Sequence, residues 1–400
     1  MATPLRCRPD SLAELIDRVT DAARTCTRLD IRGGGSKAQI GAPVNDVAIL
    51  DMSGFADVID YDPEELVLTI GAGTPLAVIE ALLANESQML AFEPFDFGPI
   101  FGRPPGASTI GGVVAAGMAG SRRVSSGSVR DHLLGIEAVS GRGERFVAGA
   151  KVVKNVTGYD LPKLMCGSWG RLVALTQVTF KVLPKGRTRA TRMLEGLDAR
   201  QAAAVMARAL GSQSEASAAA HLPTPLRGGT SLTALRVEGF GPSVAARCGM
   251  LEKILCGFGA VHTPSQAQAD AFWADLRTLA PLADGRPLWR INVPPSAGPV
   301  VVETLAPLGA RWLFDWAGGL IWLTFDGDAA MARATAEAAG GHAMLVRGPD
   351  ALRARVPALH PPAPGVAALE ERVRRAFDPC AVFETGRFMI KPEPGQRDAD

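Results

Sequence analysis

The residues best suited to chemistry are three consecutive glycines in Arg32-Gly33-Gly34-Gly35-Ser36-Lys37. Behind a β-type run, such a triplet lets successive backbone N–H groups converge into a nest that a pyrophosphate can fill with no Cβ in the way. A flexible turn uses the same residues, so the triplet alone decides nothing. A second block sharpens it. Pro105-Gly-Ala-Ser108-Thr109-Ile-Gly111-Gly112 runs on to Gly117, and a flat ligand lying along a backbone needs small side chains over a long path. A buried Ala/Gly-rich helix is the other reading of that block. Gly127-Ser128-Val-Arg-Asp131 follows. Two such blocks in one region favour a large nucleotide cofactor over two unrelated turns.

Other chemistries lack their residues. The chain has no G-x-x-x-x-G-K-[ST], no H-E-x-x-H and no G-x-S-x-G. Gly71-Ala-Gly73 begins like a dinucleotide fingerprint, but Leu76 occupies the place of the third glycine. A strand-to-helix turn explains it equally well. Cys7, Cys26, Cys166, Cys248, Cys256 and Cys380 form no C-x-x-C pair. Neither a metal site nor an iron–sulfur cluster is expected, and the pattern reads as a reduced, intracellular protein. Lys plus Arg (42) balances Asp plus Glu (41), which argues against a nucleic-acid partner. No signal peptide is read at the N-terminus, and Val300–Phe325 is interrupted by Glu303, Arg311 and Asp315, so no membrane span is expected.

The elements that must position these residues read as α+β. With 44 Gly and 29 Pro, punctuation is dense for a helical chain, and 400 residues predict two domains or one domain with an added lobe. Ser11-Leu-Ala-Glu14 is a capping-box pattern opening a helix over 11–25. Short strands are expected at 28–32, 47–51, 58–61 and 65–70. Thr74-Pro75 predicts an N-cap with Pro at N1. Residues 133–139 and 144–147 predict a hairpin, and 173–183 another strand. Beyond Pro184-Lys-Gly186 the texture changes. An Ala-rich helix is expected over 198–220, then a loop over 221–230. Strands follow near 232–237, 288–293, 312–316 and 320–325, with helices at 243–257, 266–280 and 328–339. This predicts an antiparallel sheet backed by helices.

In order and at family spacing, five segments resemble the FAD-binding domain of the vanillyl alcohol oxidase / p-cresol methylhydroxylase (PCMH) type. They are Arg32-Gly-Gly-Gly-Ser36, Gly71-Ala-Gly73-Thr74, Ser108-Thr-Ile-Gly-Gly112, Gly127-Ser-Val-Arg-Asp-His-Leu-Leu-Gly-Ile-Glu-Ala-Val139 and Lys154-Asn-Val-Thr-Gly-Tyr-Asp-Leu161. Within that family the chain is similar to the FAD-binding subunits of bacterial glycolate oxidases. The resemblance is strongest over about 28–185 and returns at Leu288–Pro295, Trp312–Trp316 and Phe377-Asp-Pro379. It implies a PCMH-type FAD domain of two subdomains over 1–186 and a cap lobe over 187–365. A segment over 366–390 would return to the FAD domain, followed by a frayed tail over 391–400.

By the same resemblance, Arg32, Gly33, Gly34, Gly35 and Ser36 would hold the FAD pyrophosphate, with Lys37 as a charge partner. Gly73 would belong to the same site. Ser108, Thr109, Gly111, Gly112 and Gly117 would line the diphosphate and ribose, and Gly127, Ser128 and Asp131 the adenosine side. Gly158 and Tyr159 would fall near the flavin, although Tyr159 could equally be a packed aromatic and Asp160 a helix N-cap. Arg387 retains a family position. Position 36 is Ser and 37 is Lys where some relatives carry a flavin-linking His, so FAD is expected to be non-covalent. Trp169, Arg171 and Glu384 depart from the family pattern.

Oxidising a 2-hydroxy acid at a flavin needs a cation for the carboxylate and a base near the hydroxyl. Arg290 is the carboxylate candidate, with a surface or salt-bridged Arg as the other reading. The five histidines are dispersed, and none is assigned as base. The resemblance implies work inside a glycolate:acceptor oxidoreductase complex, with a related FAD-linked subunit and an iron–sulfur subunit. Any membrane contact would be peripheral and through those partners. A self-sufficient 2-hydroxy-acid dehydrogenase and a non-catalytic assembly subunit are the alternatives.

Overall fold

The structure is a computed structural model that describes residues 5–149 and 159–388. The first helix is Leu12–Thr25, and its cap is half of the expected box. Ser11 Oγ accepts from Glu14 N at 3.2 Å, but the Glu14 carboxylate takes the N–H of Asp10 instead of Ser11's. Leu15, Val19 and Ala22 are buried against a three-stranded parallel sheet ordered Arg6–Cys7, Ala48–Asp51, Leu29–Arg32. This small layer delivers the glycine triplet from the end of Leu29–Arg32.

A second, antiparallel sheet has five strands in the order Val58–Asp62, Val67–Gly71, Val173–Lys181, Leu133–Ser140, Arg145–Gly149. The helices Leu76–Asn85 and Ile110–Ala116 bury Ile79, Leu83, Val113 and Val114 against Leu68, Ile70, Val178 and Phe180. The helix expected to start on Thr74 is capped one residue later: Pro75 takes the extended cap conformation and Thr74 Oγ1 is a buried orphan. The missing hydroxyl cap is offset by a tertiary bond, since Leu76 N donates to Ser108 O.

Beyond residue 187 an eight-stranded antiparallel sheet forms, ordered Val261–His262, Thr188–Glu195, Leu232–Gly239, Ala218–Leu222, Arg311–Asp315, Leu320–Thr324, Leu288–Asn292, His342–Arg347. The expected helix over 198–220 is a helix only over Ala199–Leu210. Ala218–Leu222 is instead a central strand, every residue of it buried. Three consecutive alanines favour a helix intrinsically, but a strand covered on both faces rewards small side chains. Ala219 packs toward the helical face of the sheet, and Ala218 and Ala220 toward the first lobe. The strand His342–Arg347 and the helix Gly298–Leu305 were not expected from the sequence.

Alternation along Leu288–Asn292 sends Trp289 and Ile291 into the core under the helices and Leu288 toward the first lobe. Arg290 shares the face of Leu288. The lobes meet in one apolar cluster that includes Ile40, Phe97, Met118, Trp316, Trp322 and Phe388. Beside it lies an ion-pair network. Arg122 donates to both oxygens of Glu238 at 2.8 and 2.6 Å, and Arg236 to both of Glu93 at 3.1 Å. Burial opposes ionisation of Glu93, yet the two guanidiniums hold its pKa at about 2. The chain then returns to its start: Leu29 N donates to Val382 O at 2.7 Å, and Arg387 pairs with Asp30 at 2.6 Å. No helix among the described residues is long and apolar enough to cross a membrane.

Candidate functional site

The glycine triplet leaves its strand and packs directly on the second small-residue block. A Cβ on Gly33 would stand 2.1 Å from Thr109 Oγ1, and one on Gly34 2.0 Å from Ala107 O. Gly35 has φ +69°, the left-handed region. On the facing wall, a Cβ on Gly111 would meet Ala72 at 2.8 Å. Ser108 Oγ donates to Ser36 Oγ at 2.9 Å, and Asp96 accepts from Gly106 N at 2.7 Å and Gly98 N at 3.0 Å. The two blocks read separately from the sequence are therefore the two walls of one cleft.

Of the residues expected at the cofactor, Arg32 through Lys37, Thr109, Gly111, Gly112 and Arg387 line that cleft. Lys37 is its principal cation. Its Nζ lies 3.3 Å from Ser36 Oγ, 5.3 Å from the centroid of Phe97, and no carboxylate pairs with it among the described residues. Burial pushes its pKa down to about 8, against a smaller opposing pull from Asp96. An unpaired ammonium beside glycine-lined backbone is a donor set that fits a pyrophosphate.

Other expected residues stand outside the cleft. Gly73 packs on Met52 O and Phe55 O, where its missing Cβ permits backbone contact. Ser108 is fully buried behind the loop. Gly117 is a left-handed helix C-cap approached closely by Gly167. Ser128 and Asp131 form a capping box on Val129–His132, and Gly127 has φ +80° just before it. Tyr159 is 92% exposed, neither a packed aromatic nor part of the cleft wall. Asp160 caps Leu161–Met165 through Lys163 N. Gly158 lies outside the described residues.

Sequence reasoning missed Ile31, Met52, Ala72, Ala115, Ala116, Val173 and Leu175, which supply the apolar wall, and Phe388 at its end. Ile31, Val173 and Leu175 lie on strands and Ala72 and Ala116 beside singled-out glycines, whereas Met52, Ala115 and Phe388 carried no such signal. The departures from the family pattern explain one another. Arg171 and Glu384 form an ion pair at 3.0 Å, joined by Arg374. Trp169, held left-handed at φ 57°, lines the cleft and packs its ring on Phe388 with centroids 5.1 Å apart.

Arg290 is not a salt-bridged surface residue. It has no carboxylate partner among the described residues, and its Nη1 donates to Asn292 Oδ1. Burial lowers its pKa to about 10, with the nearby charge of Arg123 acting in the same direction. Among the histidines, His221 is buried on Thr233 Oγ1 at 2.9 Å, and burial lowers its pKa to about 4. His132 is also buried, with Nε2 2.7 Å from Ser126 O. None of the five lines the glycine-walled cleft.

Comparison with known proteins defines the class. A family described as "FAD binding domain" matches residues 4–149. The fold is shared with p-cresol methylhydroxylase (TM-score 0.71, 13% identity, 96% of this chain and 88% of the other). It is shared too with alkyldihydroxyacetonephosphate synthase (TM-score 0.68, 15% identity, 95% and 76%). The chain is thus an FAD-binding protein of the PCMH-type fold.

Within that class, it is 34% identical over 382 residues to glycolate oxidase subunit GlcE of Escherichia coli K12, covering 94% of this chain and 97% of that protein. The chain belongs to the GlcE family. A shorter match, 30% over 171 residues, links it to glycolate oxidase subunit GlcD of Bacillus subtilis, spanning 42% of this chain and 35% of that one. The D-lactate dehydrogenase of Archaeoglobus fulgidus is 31% identical over 159 residues, 39% and 33% of the two chains.

Proposed function

We infer that this chain is the FAD-binding subunit of a glycolate oxidase, acting in a complex that oxidises a 2-hydroxy acid such as glycolate to the 2-oxo acid. The carrying observation is the cleft in which two glycine-rich walls meet around the unpaired Lys37. When bound, FAD supplies the acceptor for the two electrons leaving the substrate C–H. The chain's own residues do the rest. Backbone N–H groups of Gly33–Ser36 and the Lys37 ammonium hold the pyrophosphate, and Thr109, Gly111 and Gly112 form the opposite wall. Ala115, Ala116, Trp169 and Phe388 exclude water from the far end. Arg290 fixes the substrate carboxylate.

In this reading residues 1–186 and 366–390 form the FAD domain, 187–365 the cap, and 391–400 a tail. FAD is held without a covalent bond. The partners are a related FAD-linked subunit and an iron–sulfur subunit, and any membrane contact runs through them. The names of the GlcE and GlcD relatives support a multi-subunit enzyme. The dispersed cysteines, and the lack of a metal-type cluster among the described residues, support a partner as carrier of iron–sulfur chemistry.

The test is purification of the tagged chain from its own cells. Co-elution of a second flavoprotein and an iron–sulfur protein, with dye reduction by glycolate confined to the assembly, supports the reading. Equal turnover by the FAD-loaded chain alone would make it a self-sufficient dehydrogenase. Absence of any FAD response would leave an assembly subunit.

A further inference from the structure

Four arginines stand where the lobes meet, and they divide into two kinds. Arg122 and Arg236 are each held by both oxygens of a glutamate. Arg123 and Arg290 have no carboxylate within 4.0 Å among the described residues, and the nearby charge of Arg123 disfavours that of Arg290. Both guanidiniums lie over the ring of Trp316, 4.6 Å from its centroid for Arg123 and 5.3 Å for Arg290. Arg123 belongs to the first lobe and Arg290 to the second. Arg290 gives one N–H to Asn292, and its Nε and Nη2 have no partner among the described residues.

The indole is placed at some cost. Trp316 and Ala317 have φ of 51° and 56°, and Gly318 follows at 95°, so two non-glycine residues in succession are left-handed. Such strain persists only where surrounding contacts over-determine it, and it gathers at functional sites. Here Asp315 accepts from Trp316 N at 2.8 Å and from Ser121 Oγ at 2.7 Å, and the indole N–H donates to Gly120 O at 3.0 Å. Each oxygen of Asp315, whose charge acts on Arg290 from beyond ion-pair distance, thus accepts a hydrogen bond from another group. Beside this cluster opens a second cleft, lined by residues that include Arg123, Asn292, Trp316, Gly319, Gly341 and His342. None of its lining residues lines the glycine-walled cleft.

We propose that this cleft binds a small carboxylate between Arg123 and Arg290, so that the ligand ties the FAD lobe to the cap. Two unpaired guanidiniums over one immobilised indole leave a positive site whose complement is an anion, and a carboxylate accepts from both forks. Arg123, which is exposed, and Asn292 line the cleft; Arg290 adjoins it through its hydrogen bond to Asn292 and its place over the Trp316 ring. The identity of the carboxylate as a 2-hydroxy acid rests on the proposed function, but the existence of the site does not.

The test is calorimetric titration of the FAD-loaded chain with oxalate and with glycolate. Saturable binding is expected, weakened roughly 10–100-fold in Arg123→Gln and in Arg290→Gln and partly restored in Arg123→Lys. A second readout needs no variant. Oxalate should slow phenylglyoxal labelling of Arg123 in the wild-type chain, followed by peptide mass spectrometry. Failure of the wild type to bind either acid, binding unchanged in Arg123→Gln, or labelling of Arg123 indifferent to oxalate each overturns the proposal. A chain that binds oxalate but not FAD would refute the FAD reading and leave this site standing.

Discussion

Replacing Lys37 by Met should raise the stability of the FAD-free chain while lowering its affinity for FAD. The Lys37 pKa of about 8 lies below the ordinary value of 10.5 because burial disfavours the charge. Below pH 8 the ammonium is charged in both the folded and the unfolded chain, so the folded chain carries the whole burial cost. At 1.36 kcal/mol per pKa unit the cost is at most about 3 kcal/mol, and access of solvent to the cleft reduces it to about 1–3 kcal/mol. As pH rises from 8 to 10.5 the folded chain sheds the proton first, and the cost disappears. Wild-type FAD-free protein should therefore gain stability across that window, and Lys37→Met should start higher and stay flat. The FAD titration runs the other way. Losing one charge-assisted contact to pyrophosphate should weaken binding roughly 10–100-fold at pH 7, and the wild-type affinity should itself fall as pH rises past 8. Urea unfolding of the stripped chain and flavin-fluorescence titration read the two quantities. A variant that is less stable without FAD, yet binds FAD as tightly as wild type, would show that Lys37 is a packing residue and refute this reasoning.

Gly34→Ala drives a Cβ to 2.0 Å from Ala107 O, a backbone atom that cannot step aside. It should cost on the order of 2–4 kcal/mol of FAD binding, read as flavin lost on gel filtration; full retention would count against the cradle. His221 and Asp315 should oppose each other in acid. His221, with a folded pKa of about 4, stays neutral while the unfolded imidazole protonates, so its contribution is lost between pH 6.5 and 4. Asp315, raised to about 7 mainly by burial, binds its proton earlier in the folded chain, so stability is gained as pH falls from 7 toward 3.8. In urea midpoints, His221→Asn should unmask the gain and Asp315→Asn the loss; parallel profiles in both variants would contradict the assignments. Acid precipitation should leave the flavin in the supernatant, and yellow pellet protein would mean a covalent link.

Much of the first lobe was legible because its signals are local. The glycine triplet, the hairpin over 133–139 and 144–147 and the Ser11 cap are short-range devices whose geometry follows from residue type. The strand Ala218–Leu222 was not legible, since its alanines are small for the sake of neighbours on both faces. The cleft itself could be anticipated as two separate blocks. Their meeting, with Gly33 on Thr109 and Gly34 on Ala107, is a tertiary fact. Gly73, Gly117 and Gly127 show the converse. Glycine is equally required for a close backbone approach or a helix cap, and sequence alone does not separate those needs from ligand contact. The pairing of Arg171 with Glu384 was hidden because each departure looked like a defect alone, 213 positions apart.

The account stands on FAD lying between the Arg32–Lys37 loop and the Thr109–Ala116 wall. The most direct measurement is titration of the flavin-stripped chain with FAD, followed by flavin fluorescence, with ADP as competitor and Gly34→Ala in parallel. Saturation at one FAD per chain, displacement by ADP and loss of binding in the variant are predicted. Absence of saturable binding to the wild-type chain, or equal affinity in Gly34→Ala, would contradict it.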